Sequence, residues 1–141
     1  MSQPPVPKPL RRRVTAEARH RCGYCLAAEA FGVAIELDHL VPASRGGRTV
    51  RTNLWLAGSH CNKAKSGRVR VRDPVTRQMV RLFNPRQDRW AEHFRWADGG
   101  LRIEGITPIG RATERALGLN LFDHVAARRF WIGAGVHPPR E

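Results

Sequence analysis

The sequence predicts an α+β fold in which short strands and short helices alternate. Two short apolar segments, residues 33–37 and 54–58, are separated by a glycine-containing loop, and a helix-forming segment follows the second one. Further along, two pairs of short strands meet at turn sequences, and two helical segments complete the chain. We therefore expect one strand–strand–helix unit with flanking β-hairpins and C-terminal helices.

The N-terminal segment MSQPPVPKPLRRR is rich in proline and arginine. We expect residues 1–12 to form a flexible basic arm. A helix is predicted from Thr15, a favourable N-cap residue, to about His20, with Glu17 in its first turn. This helix would lead into the turn formed by Cys22–Cys25.

The central part of the chain shows the order strand, loop, strand, helix. Residues 33–37 (VAIEL) alternate in part and contain β-branched residues, and Pro42 stops this first strand. The segment SRGGRTVRTN has two adjacent glycines and few apolar groups, which indicates a loop. The segment LWLAG is the second strand, and a helix is predicted to begin near Ser59 and to end at Gly67.

The segment GRVRVRDPVTRQMVRLF predicts a hairpin. Arg68, Arg70 and Arg72 alternate with valines, so one face of the strand would carry three guanidinium groups. The dipeptide Asp73-Pro74 is a turn signal.

A second hairpin is predicted at residues 93–106, with Asp98-Gly99-Gly100 as its turn. A helix follows at residues 108–117, where Pro108 is tolerated at the first helical position. Asn120 is predicted to cap a last helix that runs from Leu121 to Trp131 and ends at Gly133.

The charge of the chain favours a polyanionic partner. The 141 residues include 25 Lys plus Arg against 12 Asp plus Glu, a net charge of +13, and most of the basic residues are arginine. Because the planar arginine fork binds phosphate oxygens in pairs, nucleic acid is the first partner to consider, and an acidic protein or a membrane surface the second. A solvated basic face explains scattered lysines better than this many arginines.

The sequence favours a cytoplasmic protein that does not span a membrane. No window has the length or apolarity of a membrane span, and the N-terminus lacks the apolar core of a signal peptide. Three cysteines, two of them in a Cys-x-x-Cys pattern, suit a reducing compartment better than a disulfide scaffold.

The stretch CGYCLAAEAFGVAIELDHLVPASRGGRTVRTNLWLAGSHCNKAKSG combines the groups needed to hydrolyse a phosphodiester with one divalent metal. Asp38 and His39 are adjacent, so on a strand their side chains point to opposite sides. Imidazole can accept a proton from water near neutral pH. Asn53 and Asn62 follow in the same order as in HNH endonucleases, and the stretch resembles the active-site segment of that family, which is built on a ββα-metal finger.

The resemblance implies a role for each of these residues. Asp38 and Asn62 would hold the catalytic Mg²⁺ or Mn²⁺. His39 would be the general base, polarised by a backbone carbonyl of the loop. Asn53 would complete the catalytic set by pinning the loop with side-chain hydrogen bonds, which would fix the ring of His39.

The cysteines form an incomplete version of the zinc knuckles seen in many relatives. Cys22 and Cys25 form the first knuckle and Cys61 matches the end of the second, but Gly58 occupies the position of the fourth cysteine. A nitrogen could come from His60 or His20. The alternative is three reduced, buried cysteines without metal. We expect no structural zinc, with the finger held by packing of Leu37, Leu54, Leu56 and Tyr24.

Several basic residues surround the motif and are candidates for nucleic-acid binding. Three lie on or after the predicted helix and three in the loop: Lys63, Lys65, Arg68, Arg45, Arg48 and Arg51. No base-reading module is evident, so weak sequence preference and strong salt dependence are expected. Trp55 is expected in the core, and His93 is more readily explained as an ordinary histidine than as a second catalytic group.

The sequence thus predicts a metal-dependent HNH endonuclease that acts on DNA, with RNA also possible, and leaves 5′-phosphate and 3′-hydroxyl ends. The alternatives are a nucleic-acid-binding module without catalysis and an interaction protein for an acidic partner. The expected organisation is an arm (1–12), an HNH core (13–68) and a C-terminal extension packed on it (69–141). The segments GRATERALGLN and VAARRFWIGAGVHPP resemble small bacterial HNH proteins of poorly defined role.

Overall fold

The computed structural model describes residues 5–140 and confirms the α+β class. The chain divides into two units. The first contains the described residues up to Val69 together with Asn84–Gln87, and the second contains Arg70–Phe83 and the described residues from Asp88 onward. The helices and strands are α1 (Lys8–Glu17), β1 (Ile35–His39), β2 (Leu54–Gly58), α2 (Ser59–Lys65), β3 (Arg70–Arg72), β4 (Met79–Arg81), α3 (Trp90–His93), β5 (Phe94–Ala97), β6 (Arg102–Gly105), α4 (Pro108–Leu117) and α5 (Phe122–Gly133).

The first unit is organised around the antiparallel pair β1–β2. Leu37 lies opposite Leu56 and His39 opposite Leu54, and α2 follows β2 without an intervening loop. The predicted order strand, loop, strand, helix is therefore confirmed. The first strand begins and ends two residues later than residues 33–37, so Asp38 and His39 lie within β1 rather than after it.

Helix α1 begins earlier than expected. It starts at Lys8, with Pro7 as the residue before it, and not at Thr15. Pro9, the second residue of the helix, is compatible with the first turn because the N–H groups there have no intrahelical acceptor. Residues 8–12, expected to be part of a flexible arm, are thus helical, and residues 1–4 of that arm lie outside the described residues.

Apolar side chains from several elements form the core of the first unit. Val14 of α1, Tyr24, and Leu54 and Leu56 of β2 are buried, as predicted for the last three. Leu37 is only half-buried. Trp55, expected in the core, is also half-buried, and the Arg86 guanidinium lies 4.9 Å from its ring centroid.

The second unit contains the two predicted hairpins, β3–β4 and β5–β6, and both are antiparallel. Helix α4 begins where the sequence predicts, because the Thr107 side chain accepts a hydrogen bond from the Gly110 N–H and Pro108 is tolerated at the first position. Val71, Leu82 and Ala112 form a buried cluster between the first hairpin and α4.

The prediction that Asn120 caps α5 is wrong. Its amide instead bonds the backbone of Ile103 on β6, donating to the carbonyl at 2.7 Å and accepting from the N–H at 2.8 Å. Helix α5 begins one residue later than predicted, at Phe122, without a side-chain cap. Within residues 5–140 no helix combines the length and the apolarity needed to cross a membrane.

Candidate functional site

A cavity of about 300 Å³ brings together three of the four residues predicted to carry out hydrolysis. Asp38, His39 and Asn62 all line it. The end of β1 supplies the first two and the middle of α2 supplies the third, so the strand–helix arrangement creates the site. The remaining lining residues are Leu37, Pro42, Lys65 and Gly67.

Asp38 is buried and is held by two hydrogen-bond donors. The Lys65 ammonium lies 2.9 Å from Oδ1 and 3.0 Å from Oδ2, and the Tyr24 hydroxyl donates to Oδ2 at 2.9 Å. Burial raises the pKa of the Asp38 carboxyl, and the charge of Lys65 opposes that rise. Oδ1 accepts from Lys65 alone among the described residues, so it keeps a lone pair for a further ligand.

The sequence suggested that Lys65 binds nucleic acid, but its side chain is buried and does not lie on the surface. It is 3% exposed, and its ammonium also donates to the carbonyls of His39, at 2.9 Å, and Leu40, at 3.3 Å. The sequence predicts a surface position for a lysine followed by a glycine-containing turn. Its burial could not be predicted, because its hydrogen-bond acceptors lie more than 20 residues away in the sequence.

The ring of His39 is held by a residue that the sequence reading missed. Nε2 lies 2.9 Å from the hydroxyl of Thr49, which belongs to the loop between β1 and β2. The expected partner of the ring was a backbone carbonyl of the loop. The structure confirms a partner from the loop, but it is a side-chain hydroxyl. Burial lowers the pKa of the His39 imidazole, and the charge of Asp38 opposes that change. The lowered pKa favours the neutral ring.

Asn53 makes the loop contacts that the sequence predicts for it. Its Oδ1 accepts from the Val41 N–H at 2.9 Å, and its Nδ2 donates to the carbonyls of Val41, at 3.0 Å, and Arg48, at 2.9 Å. The two bonds to Val41 join the end of the loop to its beginning. The bond to Arg48 holds the residue next to Thr49. These three bonds therefore restrict the segment that carries the His39 partner.

Glu36 is a second residue that the sequence reading missed, and it orients Asn62. The Asn62 Nδ2 group donates to Glu36 Oε1 at 2.7 Å, and the Ser59 hydroxyl donates to Oε2 at 3.3 Å. An ionised carboxylate can only accept, so the amide must present its NH₂ group to it. The Asn62 amide oxygen, which accepts from no described residue, is the atom left for a ligand. Alternation along β1 puts residue 36 on the Asp38 side, and that pattern could have identified it.

The three cysteines form a compact group whose sulfurs all lie within 4.8 Å of one another. Four sulfurs about 2.3 Å from a tetrahedral zinc ion would be about 3.8 Å apart, so the group could hold a metal after a small contraction. The histidines considered as a fourth ligand are not part of this group among residues 5–140: His20 contacts Glu29 at 3.3 Å, and His60 is exposed. The absence of zinc remains a prediction.

One thiol of this group ionises more readily than the others. Burial raises the pKa of Cys22, but hydrogen bonds from Cys25 and Cys61 outweigh burial and lower that pKa well below its usual value. The same hydrogen bonding to Cys22 raises the pKa of Cys25 and of Cys61.

The other basic residues differ in their availability. Arg45, Arg48, Lys63 and Arg68 are exposed. Arg51 is engaged by Glu17, to which its Nε donates at 3.0 Å and 3.1 Å.

His93 belongs to the second unit. There its Nδ1 lies 2.7 Å from the Thr107 hydroxyl, in accord with an ordinary structural histidine.

Comparison with known proteins supports the motif. No curated protein and no solved structure matches the chain. The family model described as HNH endonuclease matches residues 22–68, about a third of the chain. This range contains the cysteine group, the loop, both strands and α2. An HNH domain indicates a nuclease or another activity on nucleic acid. The match confirms the resemblance found in the sequence motif: residues 22–68 match the domain of the HNH endonuclease family.

Proposed function

We propose that the protein is a metal-dependent HNH endonuclease that hydrolyses DNA phosphodiester bonds, by nicking or cleavage with weak sequence preference. The observation that carries this proposal is the shared cavity of Asp38, His39 and Asn62. A carboxylate, a neutral imidazole and an oriented amide oxygen next to one space of this size are the groups that metal-assisted hydrolysis requires. The strand, loop, strand and helix around them would be a ββα-metal finger within an HNH core at residues 13–68.

The oxygen donors at the cavity fit a hard divalent cation. Asp38 Oδ1 keeps one lone pair, and the Asn62 amide oxygen is directed away from Glu36. Mg²⁺ and Mn²⁺ accept few protein oxygens and keep several waters, for which a cavity of about 300 Å³ has room. When bound, such an ion would neutralise a non-bridging phosphate oxygen and stabilise the departing oxygen.

His39 would activate water through Nδ1. Because Nε2 faces the Thr49 hydroxyl, a neutral ring that carries its proton on Nε2 donates to Thr49 and leaves Nδ1 as an acceptor. Nδ1 takes a proton from water, the water oxygen bonds to phosphorus, and the bond from phosphorus to the 3′ oxygen breaks. The 3′ oxygen takes a proton from solvent, which leaves 5′-phosphate and 3′-hydroxyl ends.

The decisive experiment follows the conversion of supercoiled plasmid to open circles with Mg²⁺ or Mn²⁺. Wild-type protein is expected to nick, and His39→Ala, with an unchanged circular dichroism spectrum, is expected to lose most of that activity. His93→Ala is the matched control, because His93 lies in the second unit and bonds Thr107. No nicking by the wild type, or equal nicking by the His39 variant, would rule out the enzyme.

The contact between Lys65 and Asp38 favours one other function, a nucleic-acid-binding module that keeps the HNH fold without catalysis. An ammonium already neutralises the carboxylate that would hold the metal. If this contact persists in the presence of metal, the protein would bind DNA without cutting it. Salt-sensitive DNA binding together with no nicking in Mg²⁺ and in Mn²⁺ would identify this case.

A further inference from the structure

The β3–β4 hairpin has two chemically different faces. Val71 and Val80 lie opposite each other and pack towards a cluster with Leu82 and Ala112. Because side chains alternate along a strand, their neighbours must face solvent. The outward residues are Arg70 and Arg72 on β3 and Met79 and Arg81 on β4, all of them exposed. Together with the exposed Arg77 of the turn, these residues define what we call the arginine hairpin, residues 70–81.

Three of its guanidinium groups are not neutralised. Arg70, Arg72 and Arg77 form no ion pair with any residue that the structure describes. Other arginines of the same unit do form ion pairs: Arg81 with Asp88, Arg95 with Glu104, Arg102 with Asp98 and Arg111 with Asp73. The second unit therefore contains carboxylates, but those in these ion pairs bind arginines other than Arg70, Arg72 and Arg77.

Backbone carbonyls of the hairpin hold two of these groups, those of Arg70 and Arg72. Arg70 donates one N–H to the Met79 carbonyl at 3.1 Å, and Arg72 donates one to the Arg77 carbonyl. A guanidinium has five N–H donors, so most donors of each group stay available. The two backbone bonds restrict the side chains of Arg70 and Arg72, which reduces the entropy that these side chains lose on binding.

The turn of the arginine hairpin is also rigid. Asp73 is fully buried and accepts from the N–H groups of Val75 and Thr76, from the Thr76 hydroxyl, and from the guanidinium of Arg111 on α4. The contact with Arg111 holds the pKa of Asp73 well below its usual range. The turn that carries Arg77 is thus anchored to a helix.

We propose that the arginine hairpin binds the phosphate backbone of a DNA duplex. It is a second contact surface, separate from the residues assigned to hydrolysis, and it is independent of whether the protein cuts DNA. Like charges on one face of a two-stranded ribbon repel each other, and a polyanion removes that repulsion.

The geometry favours nucleic acid over an acidic protein. Residues two apart on a strand are separated by about 7 Å. Arg70 and Arg72 therefore present two planar forks at about that spacing, and the turn adds Arg77. Phosphates repeat regularly along a duplex, and each can accept two parallel bonds from one fork. Carboxylates on a protein surface have no such repeat. Contacts to phosphates do not distinguish one base from another, so the binding is not expected to depend on the DNA sequence.

The test measures binding of a fluorescein-labelled duplex of mixed sequence by fluorescence anisotropy, with the full-length protein and no added divalent metal. The variant Arg70→Gln/Arg72→Gln/Arg77→Gln is compared with Arg89→Gln/Arg115→Gln/Arg129→Gln. Both lose three exposed charges of the same unit, and the second set lies outside the hairpin. Each lost phosphate contact lowers the slope of log K against log salt by about 0.9.

The hairpin variant is expected to lose about tenfold or more in affinity and roughly 2 to 3 in salt slope, while the control changes little. Replacing the same three arginines by lysine should restore most of the slope. Equal losses in both variants would mean that net charge alone acts, and would overturn the proposal. Tighter binding to poly-glutamate than to DNA at equal charge would overturn it in favour of an acidic protein partner.

A second measurement uses the wild-type protein and so does not depend on the folding of a variant. The arginine-selective reagent phenylglyoxal is applied with and without duplex, and modified peptides are read by mass spectrometry. DNA is expected to protect Arg70, Arg72 and Arg77 more than Arg115 and Arg129. Uniform protection, or none in the hairpin, would contradict the proposal.

Discussion

The ammonium of Lys65 lies 2.9 Å and 3.0 Å from the two carboxylate oxygens of Asp38, and each side chain is only 4% exposed. This ion pair joins the end of β1 to the last residue of α2. It places a fixed positive charge against the carboxylate that is proposed to hold a divalent ion. The pair therefore affects both the stability of the HNH domain and the availability of its metal site.

Lys65→Met should lower the free energy of unfolding by about 3–5 kcal/mol, because it leaves the Asp38 charge buried without its partner. The double variant Asp38→Asn/Lys65→Met should recover a large part of that loss, since neither charge is then buried alone. Urea denaturation measures both. Lys63→Met, at an exposed position of the same helix, is the control and should change stability little. A Lys65 variant as stable as this control would show that the ion pair is not formed in solution.

Thr49→Val should lower kcat for plasmid nicking by about 10- to 100-fold with little change in KM for DNA. Valine keeps the shape of the side chain but removes the hydroxyl that faces His39 Nε2, so the ring can rotate or change tautomer. Thr49→Ser keeps the hydroxyl and should retain most of the activity. If serine and valine behave alike, the hydroxyl does not position His39.

Glu36→Ala should weaken the apparent affinity for Mn²⁺ by about 10- to 100-fold, because the Asn62 amide loses the acceptor that orients it. Titration of Mn²⁺ followed by electron paramagnetic resonance measures this without reference to cleavage. Ser59→Ala removes only the weaker partner of Glu36, at 3.3 Å, and serves as the control. Unchanged Mn²⁺ binding in the Glu36 variant would show that Asn62 needs no orienting group.

The acid stability of the first unit should depend on Glu17. Hydrogen bonds from Arg51 and Arg86 lower the pKa of this carboxyl from 4.5 to about 2. A lowered folded-state pKa contributes stability that is fully present above about pH 4.5 and is lost as the pH falls towards 2. Glu17→Gln should therefore lower the free energy of unfolding at pH 7 by about 1–2 kcal/mol and flatten its decline on acidification.

Thermal unfolding from pH 7 down to pH 3 measures this dependence. Glu29→Gln is the matched control, because Glu29 is exposed and, within residues 5–140, its one ion pair is with the exposed His20. A Glu17 variant that follows the wild-type pH curve would show that its arginine partners do not hold it in solution.

Local signals explain which elements could be predicted from the sequence. Partial alternation identified β1 to within two residues, turn residues identified both hairpins, and Pro108 identified the start of α4, because each signal acts over a few residues. The start of α1 was misplaced because Thr15 is a good cap in isolation, whereas the helix already begins at Lys8. Asn120 was misassigned for the same reason, since its partner Ile103 lies on another element.

The order of residues in the site could be predicted, but not all of its contacts. The positions of Asp38, His39 and Asn62 follow from the motif, and the cavity contains all three. The role of Thr49 depends on how the loop folds against β1, which sequence spacing does not determine. Alternation along β1 puts Glu36 on the Asp38 side, but its bond to Asn62 depends on how α2 packs there. Burial of Lys65 follows from the same packing.

Gly58→Cys should convert the cysteine group into a complete zinc site. A Cβ atom at position 58 would lie 3.9 Å from both Cβ and Sγ of Cys22 and 3.9 Å from the Ala34 carbonyl oxygen, which are ordinary contacts. The backbone there has φ −57° and ψ 145°, which any residue can adopt. A fourth sulfur can thus join the other three without displacing the backbone.

The variant should bind one zinc ion per chain far more tightly than the wild type and should unfold at a higher temperature when zinc is present. Gly58→Ser fits the same space with a weaker ligand and separates metal binding from side-chain packing. Zinc content by atomic emission and competition with a chromogenic chelator measure the difference. If the wild type already holds one equivalent as tightly as the variant, the three cysteines suffice with a ligand from outside the group, and the expectation of a zinc-free domain is wrong.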